Sequence, residues 1–286
     1  MTGYDIVDAQ VHLTRDFGPE QIRHSMEALG IRSVMIDEFW GVTPEFRVQP
    51  GELFGDGLTR PVSPTAHAMA LETPDRISYL QRVERRDPLL REVMALLGAS
   101  QGARAVRVTL HNTQEREGFS NGAYDEVFQL AVEHDLPLCV LGPDVTTLAA
   151  ILQRFPALRI VLDHCGWPRH EQHWRQILAA AELPTVVLKW SHTGRAVNKI
   201  AGIDADAPGS ELDETLLREF DRALDRFGAQ RIMWASDVTQ EKRSWAQLLA
   251  FVTHHRTLPE SDKQWVLAGT ARDVFSWPAT PPDPSL

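Results

Sequence analysis

Short apolar runs rich in β-branched residues recur along the chain, with amphipathic stretches between them. The runs are residues 4–7, 33–36, 77–83, 105–110, 138–141, 159–162, 185–190 and 231–234. Few of them alternate cleanly between apolar and polar residues, which predicts strands covered on both faces. The stretches between carry apolar residues at helical spacing. They predict helices over 20–29, 87–97, 123–134, 145–155, 171–181 and 214–227, most of them ending at a glycine or shortly before a proline. Strands and helices in alternation predict a parallel α/β fold. Eight such units in one chain predict a (β/α)8 TIM barrel in preference to an open doubly wound sheet. No Gly-x-Gly-x-x-Gly follows the first strand and no Walker-type phosphate loop occurs, so the sheet alternative has no motif behind it.

Two stretches break this rhythm. Residues 41–74 follow the second strand and residues 192–209 follow the seventh; both are longer than ordinary connections. They predict a distorted barrel with long loops at its C-terminal mouth, acting as lids or as selectors of substrate. Residues 278–286 read as a tail. A single domain over residues 1–286 is expected.

Composition narrows the function classes. The chain has 286 residues, 43% of them hydrophobic and 24% charged, which is the balance of an ordinary globular protein and excludes disorder or a coiled coil. The net charge is −10 and no Lys/Arg run stands out, which argues against nucleic-acid binding. The two cysteines, Cys139 and Cys165, follow apolar runs and read as buried free thiols of a reducing compartment. No apolar run approaches the roughly 20 residues that span a bilayer, and no cationic, then apolar, leader opens the chain. The expectation is a cytoplasmic protein with a small-molecule substrate and no membrane or nucleic-acid partner; a homo-oligomer is left open.

Polar residues gather where strands finish. The first strand ends in Asp8-Ala9-Gln10-Val11-His12, and the period of two places Gln10 and His12 on one side. The second ends in Asp37-Glu38-Phe39-Trp40, the third carries Arg82, and the fourth carries Arg107, Thr109 and His111. The sixth ends in Asp163-His164-Cys165-Gly166-Trp167, the seventh in Lys189-Trp190-Ser191-His192, and the eighth in Ala235-Ser236-Asp237. Taken singly, each has a structural reading. In a barrel they would converge on one mouth, and convergent titratable groups in a pocket mark a hydrolytic site.

These residues carry a resemblance. The chain resembles the amidohydrolase superfamily, in its amidohydrolase-2 branch of lactonases and pyrone-dicarboxylate hydrolases. IVDAQVHL is similar to that branch's Asp-x-His-x-His strand and IVLDHCGWP to its Asp-His-x-Gly-x-Pro motif. VVLKWSHTG resembles its Lys-Leu-Ser-Gly strand, RIMWASDVT its strand ending in Ser-Asp, and WVLAGTARDVFSW its closing helix. The resemblance implies a barrel hydrolase acting on a lactone, ester or amide carbonyl. It implies a site built from His12, His164 and Asp237, which in some members holds one divalent metal and in others works without one.

The chain departs from that pattern at Gln10, where the branch has its first histidine. A neutral amide is a poor zinc ligand, and no histidine ends the fifth strand. The expectation is therefore a site with no metal; the alternative is one divalent ion, Zn or Mn, held by His12, His164 and Asp237. Without metal, Asp237 would take a proton from water, and His12, His164 and Gln10 would donate hydrogen bonds to the developing oxyanion. Arg107, Lys189 and Arg82 are the expected cations for a carboxylated or sugar-derived lactone, with Trp40 and Trp167 (and also Trp190) as aromatic walls. For Arg107 the structural alternative is an ion pair with Asp37, Glu38 or Asp163. His111 and His192 are additional imidazoles, and His254-His255 reads as a solvated helix end. Two rival functions stay open: a metal-dependent decarboxylase of an aromatic or unsaturated acid, and a catalytically reduced barrel that only binds a small molecule. A binuclear site is disfavoured, because no lysine ends the fourth or fifth strand to bridge two metals.

Overall fold

The computed structural model describes residues 3–14, 16–39, 51–53, 58–110, 112–203 and 210–278. In chain order the strands are β1 (Val7–Leu13), β2 (Ser33–Glu38), β3 (Gly51–Leu53), β4 (Thr59–Pro61), β5 (Ile77–Arg82), β6 (Ala103–Thr109), β7 (Leu138–Leu141), β8 (Ile160–Leu162), β9 (Val186–Trp190) and β10 (Ile232–Trp234). Eight of them form one parallel sheet in the order β1-β2-β5-β6-β7-β8-β9-β10, and β3 and β4 pair separately as an antiparallel hairpin. Helices between the strands cover the outside, as the expected (β/α)8 TIM barrel requires.

The core has two parts. Val11, Leu13 and Ile36 pack outward against helix residues such as Ile22 and Met26. Val7, Ala9, Met35, Cys139 and Met233 fill the barrel interior, and Phe275 and Trp277 from the end of the chain belong to the same cluster. Every residue of β1, β2, β8, β9 and β10 is buried, which accounts for the lack of clean alternation in the sequence.

A β-bulge in β1 sets the site. Asp8 pairs with Val34 and Val11 with Ile36, so Ala9 and Gln10 together oppose Met35. The extra residue shifts the alternation by one. Val7 and Ala9 point into the barrel below the bulge, and Gln10 and His12 take over that direction above it.

The seam between β10 and β1 is closed partly by a side chain. The Asp237 N–H donates to the Gln10 carbonyl at 3.0 Å. Asp8 Oδ1 accepts from the N–H of Ser236 at 2.9 Å and of Gln10 at 3.1 Å. Its Oδ2 accepts from Trp245 Nε1 at 2.6 Å. Burial pushes the Asp8 carboxyl up to about 7, against the pull of these donors.

Several expectations are corrected. The first strand runs from Val7 to Leu13: of the apolar run 4–7 it takes in only Val7, and the polar residues expected at its end belong to it and are buried. The two interruptions are only partly loop: 41–74 contains the hairpin and a helix, Pro64–Glu72, and 192–209 contains a helix, Thr193–Ala201. The rest of both stretches lies largely outside the described residues, as do residues 279–286 of the expected tail. Pro64 starts the first of these helices, where its missing N–H costs nothing. His255 is not a solvated end: it is buried, its Nδ1 accepts from the Leu258 N–H at 3.2 Å, and its Nε2 lies 3.3 Å from Asp221. Among the described residues no helix is long and apolar enough to cross a membrane.

Candidate active site

At the C-terminal mouth of the barrel, Asp237 is surrounded by three imidazoles. His12 Nε2 lies 3.1 Å from its Oδ1, and His192 Nε2 lies 3.0 Å from its Oδ2. His164 Nδ1 is 3.6 Å from the same Oδ2. His12 is fixed from behind, its Nδ1 donating to the Asp37 backbone carbonyl at 3.1 Å. His164 Nδ1 lies 2.9 Å from Ser191 Oγ, and its Nε2 lies 3.0 Å from Arg107 Nη2.

The backbone is strained where these groups are aimed. His164, His192 and Asp237 all have positive φ, at 54°, 52° and 48°. Non-glycine residues in that region are uncommon and cluster at functional sites. Gly166 permits the first of these turns. Its φ is +72°, and a Cβ there would stand 2.7 Å from Ile177 Cγ2.

Charge in the cluster follows from burial and contact. Burial alone would raise the Asp237 carboxyl, but His12, His192 and His164 together hold it well below the ordinary range. Burial drives the His164 imidazole well down, past the opposing pull of Asp237. Burial also opposes charge on His192, yet its hydrogen bond to Asp237 and the negative charges of Asp237 and Glu241 together outweigh that and raise it.

The expected substrate cations are placed differently. Lys189 is fully buried, with Nζ 2.8 Å from Asp163 Oδ1 and 2.9 Å from Gln10 Oε1. Arg107 donates from Nε to Asp163 Oδ2 at 2.7 Å and from Nη1 to Asp37. Arg82 grips Asp37 with two bonds, 3.0 Å from Nε and 2.7 Å from Nη2. The ion-pair alternative for Arg107 is thus the one observed, with Asp37 and Asp163 as partners. All three cations are already paired with Asp37 or Asp163, although Arg82 and Arg107 still line the cavity. Gln10 is buried, and its Nε2 has no hydrogen-bond partner among the described residues.

The cavity above the cluster has a volume of about 640 Å³, and His12, His164, His192 and Asp237 form its floor. Two cations on its wall were not singled out from the sequence. Arg116 donates to the Leu110 carbonyl at 3.1 Å and to Thr113 Oγ1 at 3.2 Å. Arg169 Nη2 lies 3.5 Å from His173 Nε2. Neither forms an ion pair with a carboxylate among the described residues. Their only sequence signal was a position shortly after a strand end. His192 had the better one, two residues beyond β9. Trp167 lines the cavity, with the Arg195 guanidinium 3.5 Å from its ring centre. Trp190 takes the core place that was its alternative to a pocket wall: it is buried against Phe220 and Phe251. Trp40 and His111 lie outside the described residues. A larger groove of about 940 Å³ runs between the helices Ser210–Phe227 and Trp245–Thr253, but none of the strand-end residues lines it. The convergent titratable groups make the smaller cavity the candidate site.

The cluster also fits a metal. Ligand atoms of His164, His192 and Asp237 all lie within 4.8 Å of one another. Imidazole nitrogens with a carboxylate oxygen make a donor set suited to zinc or manganese. The metal-free expectation did not count His192, which restores an imidazole for the one lost at Gln10.

Comparison with known proteins agrees with this picture. No curated protein matches the chain by sequence. Among solved structures, an amidohydrolase from Burkholderia multivorans with bound HEPES superposes with a TM-score of 0.74 at 20% identity, over 96% of this chain and 100% of that one. The same protein has also been solved with zinc. A Pseudomonas putida protein provisionally assigned as a 2-pyrone-4,6-dicarboxylic acid hydrolase gives a TM-score of 0.71 at 16% identity, covering 96% of this chain and 98% of its own. A 5-carboxyvanillate decarboxylase from Novosphingobium aromaticivorans, solved with manganese and a nitrobenzoic acid, gives 0.66 at 15%, covering 96% and 97%. At these identities the likeness is one of fold. The family model described as Amidohydrolase, of the amidohydrolase-2 family, matches residues 7–277, from the start of β1 to the buried Trp277. A match over nearly the whole barrel, including every strand end that feeds the Asp237 cluster, places this chain in the amidohydrolase family.

Proposed function

We propose that this protein is a hydrolase that opens a carboxylated lactone, or a related ester, with Asp237 as the base toward water. The observation that carries the reading is the pairing of Asp237, held by His12 and His192 at 3.1 and 3.0 Å, with a cavity wall that bears Arg116 and Arg169. The first arrangement suits attack of water on a carbonyl. The second suits a substrate carboxylate.

Asp237 accepts the proton of the attacking water and returns it to the leaving alkoxide. The Gln10 NH2 group, buried and without a partner among the described residues, donates to the oxygen on which charge develops, and the His164 imidazole, kept neutral by burial, is held between Arg107 and Ser191. Arg116 and Arg169 hold the substrate carboxylate, and Trp167, with Arg195 on its face, walls the cavity. A zinc or manganese ion held by Asp237 and His192, with His12 or His164, would polarise the carbonyl and lower the pKa of the water beside it. Fold relatives solved with zinc and with manganese favour that metal-bound form over the metal-free one.

The test is a turnover screen over carboxylated and sugar lactones, with and without zinc and manganese, run in parallel with CO2 detection on aromatic acids. Lactone opening that falls by roughly 10²–10⁴ in Asp237→Asn supports the proposal. CO2 release without lactone opening replaces it with the decarboxylase. Ligand binding with no turnover of either kind leaves only a binding barrel.

A further inference from the structure

Two positions that could bind a metal are each capped by a buried cation. His164 Nε2 faces Arg107 Nη2 at 3.0 Å, and Gln10 Oε1 faces Lys189 Nζ at 2.9 Å. Guanidinium and ammonium groups carry donors only. The ring nitrogen facing Arg107 must therefore accept, and the amide atom facing Lys189 must be the oxygen. Both orientations are settled by chemistry, although imidazole tautomers and amide flips are ordinarily ambiguous.

The consequences run the same way at both positions. With its Nε2 lone pair given to Arg107, a neutral His164 carries its proton on Nδ1. That nitrogen faces Ser191 Oγ at 2.9 Å and Asp237 at 3.6 Å. With its oxygen given to Lys189, Gln10 has only its NH2 group left. Nε2 is fully buried and has no partner among the described residues. A buried donor left unmade is costly, so a group of this kind is expected to meet an oxygen during the working cycle. Both cations are held by one carboxylate: Arg107 Nε lies 2.7 Å from Asp163 Oδ2, and Lys189 Nζ lies 2.8 Å from Asp163 Oδ1.

We propose that Arg107 and Lys189, anchored together on Asp163, are positioning residues that make His164 and Gln10 hydrogen-bond donors rather than metal ligands. The His164 Nδ1–H is then given to Ser191 Oγ, and the Gln10 NH2 group, which has no partner among the described residues, serves an oxygen in the site, either water or the oxyanion of the substrate. A divalent ion, when bound, is then held through His192 and Asp237, whose Nε2 and Oδ2 lie 3.0 Å apart, and His164, the third member of that cluster, stands beside it as a donor. The oxyanion role rests on the hydrolase reading. The donor polarity does not, and it is testable without turnover.

The experiment is nitrogen-15 NMR of protein labelled in histidine, with the His164 ring assigned by its loss in His164→Gln, together with calorimetric titration of zinc. The expected result is a neutral His164 with the proton on Nδ1. Zinc affinity is expected to stay within about threefold of wild type in Gln10→Ala and His164→Gln, and to fall more than tenfold in His192→Ala. In Arg107→Met the His164 proton is expected to move to Nε2. A proton on Nε2 in the wild type, or a more than tenfold loss of zinc affinity in Gln10→Ala or His164→Gln, overturns the proposal. If Arg107→Met does not fold, the wild-type tautomer alone decides. Failure of the lactone screen with these results intact would remove the hydrolase reading and leave the donor polarity standing.

Discussion

His192 Nε2 lies 3.0 Å from Asp237 Oδ2, although the two residues leave different strands, β9 and β10. Both hold a left-handed backbone to reach each other. Strain of that kind costs of order 1–3 kcal/mol per residue, and this pair carries it twice to build one contact. His192→Ala is therefore expected to weaken zinc or manganese binding by at least the 10–100-fold typical of losing a supporting partner. Stability is expected to fall modestly, because alanine keeps the left-handed strain and the buried Asp237 loses a partner. Calorimetric metal titration and thermal melts of the two proteins check both halves.

Arg116 and Arg169 face the cavity without a carboxylate partner among the described residues, unlike Arg82 and Arg107. A hydrogen bond to a charged group contributes about 1.5–3 kcal/mol. Replacing either arginine by methionine is expected to raise KM for a carboxylated lactone by about 10- to 150-fold, by that energy, with kcat within a few-fold. An unchanged KM would remove that arginine from substrate binding. Steady-state kinetics on a carboxylated lactone and its uncharged methyl ester separates the charge effect from packing, since only the acid should respond.

Asp8 makes the pH prediction. Burial pushes its folded-state value up to about 7, from 3.8. A carboxyl raised on folding holds its proton in the native state while the unfolded chain releases it. Its contribution to stability is thus full below about pH 4 and is lost as pH rises towards 7. Asp8→Asn cannot titrate. Its amide would also set a donor against Trp245 Nε1, at the oxygen that now accepts at 2.6 Å. The difference in urea-unfolding free energy, wild type minus Asp8→Asn, is expected to fall between pH 4 and pH 7 and then level. A flat difference would mean that the three N–H donors keep Asp8 ionised throughout.

The barrel was legible because its strands are buried on both faces and its helices carry one apolar stripe, so both leave marks in the local pattern. His12, His164 and Asp237 were legible as a set because each ends a strand, and parallel topology brings strand ends together. The status of the cations was not legible. Arg107 and Lys189 look like free charges in a sequence, and only the tertiary structure brings Asp37, Asp163 and Gln10 against them. His192 was seen but not placed, because its approach to Asp237 depends on a left-handed residue that no periodicity announces. The period of two put Gln10 and His12 on one side, as observed, but it did not say which way that side faces; the bulge at Ala9 and Gln10 turns it inward. Counted from Val7, the same period would have sent them outward.

Gly166 provides the test of how the turn after β8 serves the site. Its φ of +72° is costly for any residue with a side chain, and an added Cβ would stand 2.7 Å from Ile177 Cγ2 and 3.1 Å from its Cδ1. Backbone strain and overpacking act together here, so Gly166→Ala is expected to destabilise by about 2–4 kcal/mol. That should lower Tm by several degrees in a chain of this size. The two causes can be separated. Ile177→Val removes one of the crowding methyls and leaves the backbone untouched, so the double variant is expected to recover part of the loss but not all of it. The turn also directs His164 towards Asp237, two residues upstream. A displaced turn should therefore lower turnover beyond what the unfolded fraction accounts for. Melts of the three variants, with kinetics measured at least 15 °C below the lowest Tm, distinguish a turn that only holds the fold from one that aims His164. Full recovery of Tm in the double variant would show that crowding alone, and not the left-handed backbone, requires glycine here.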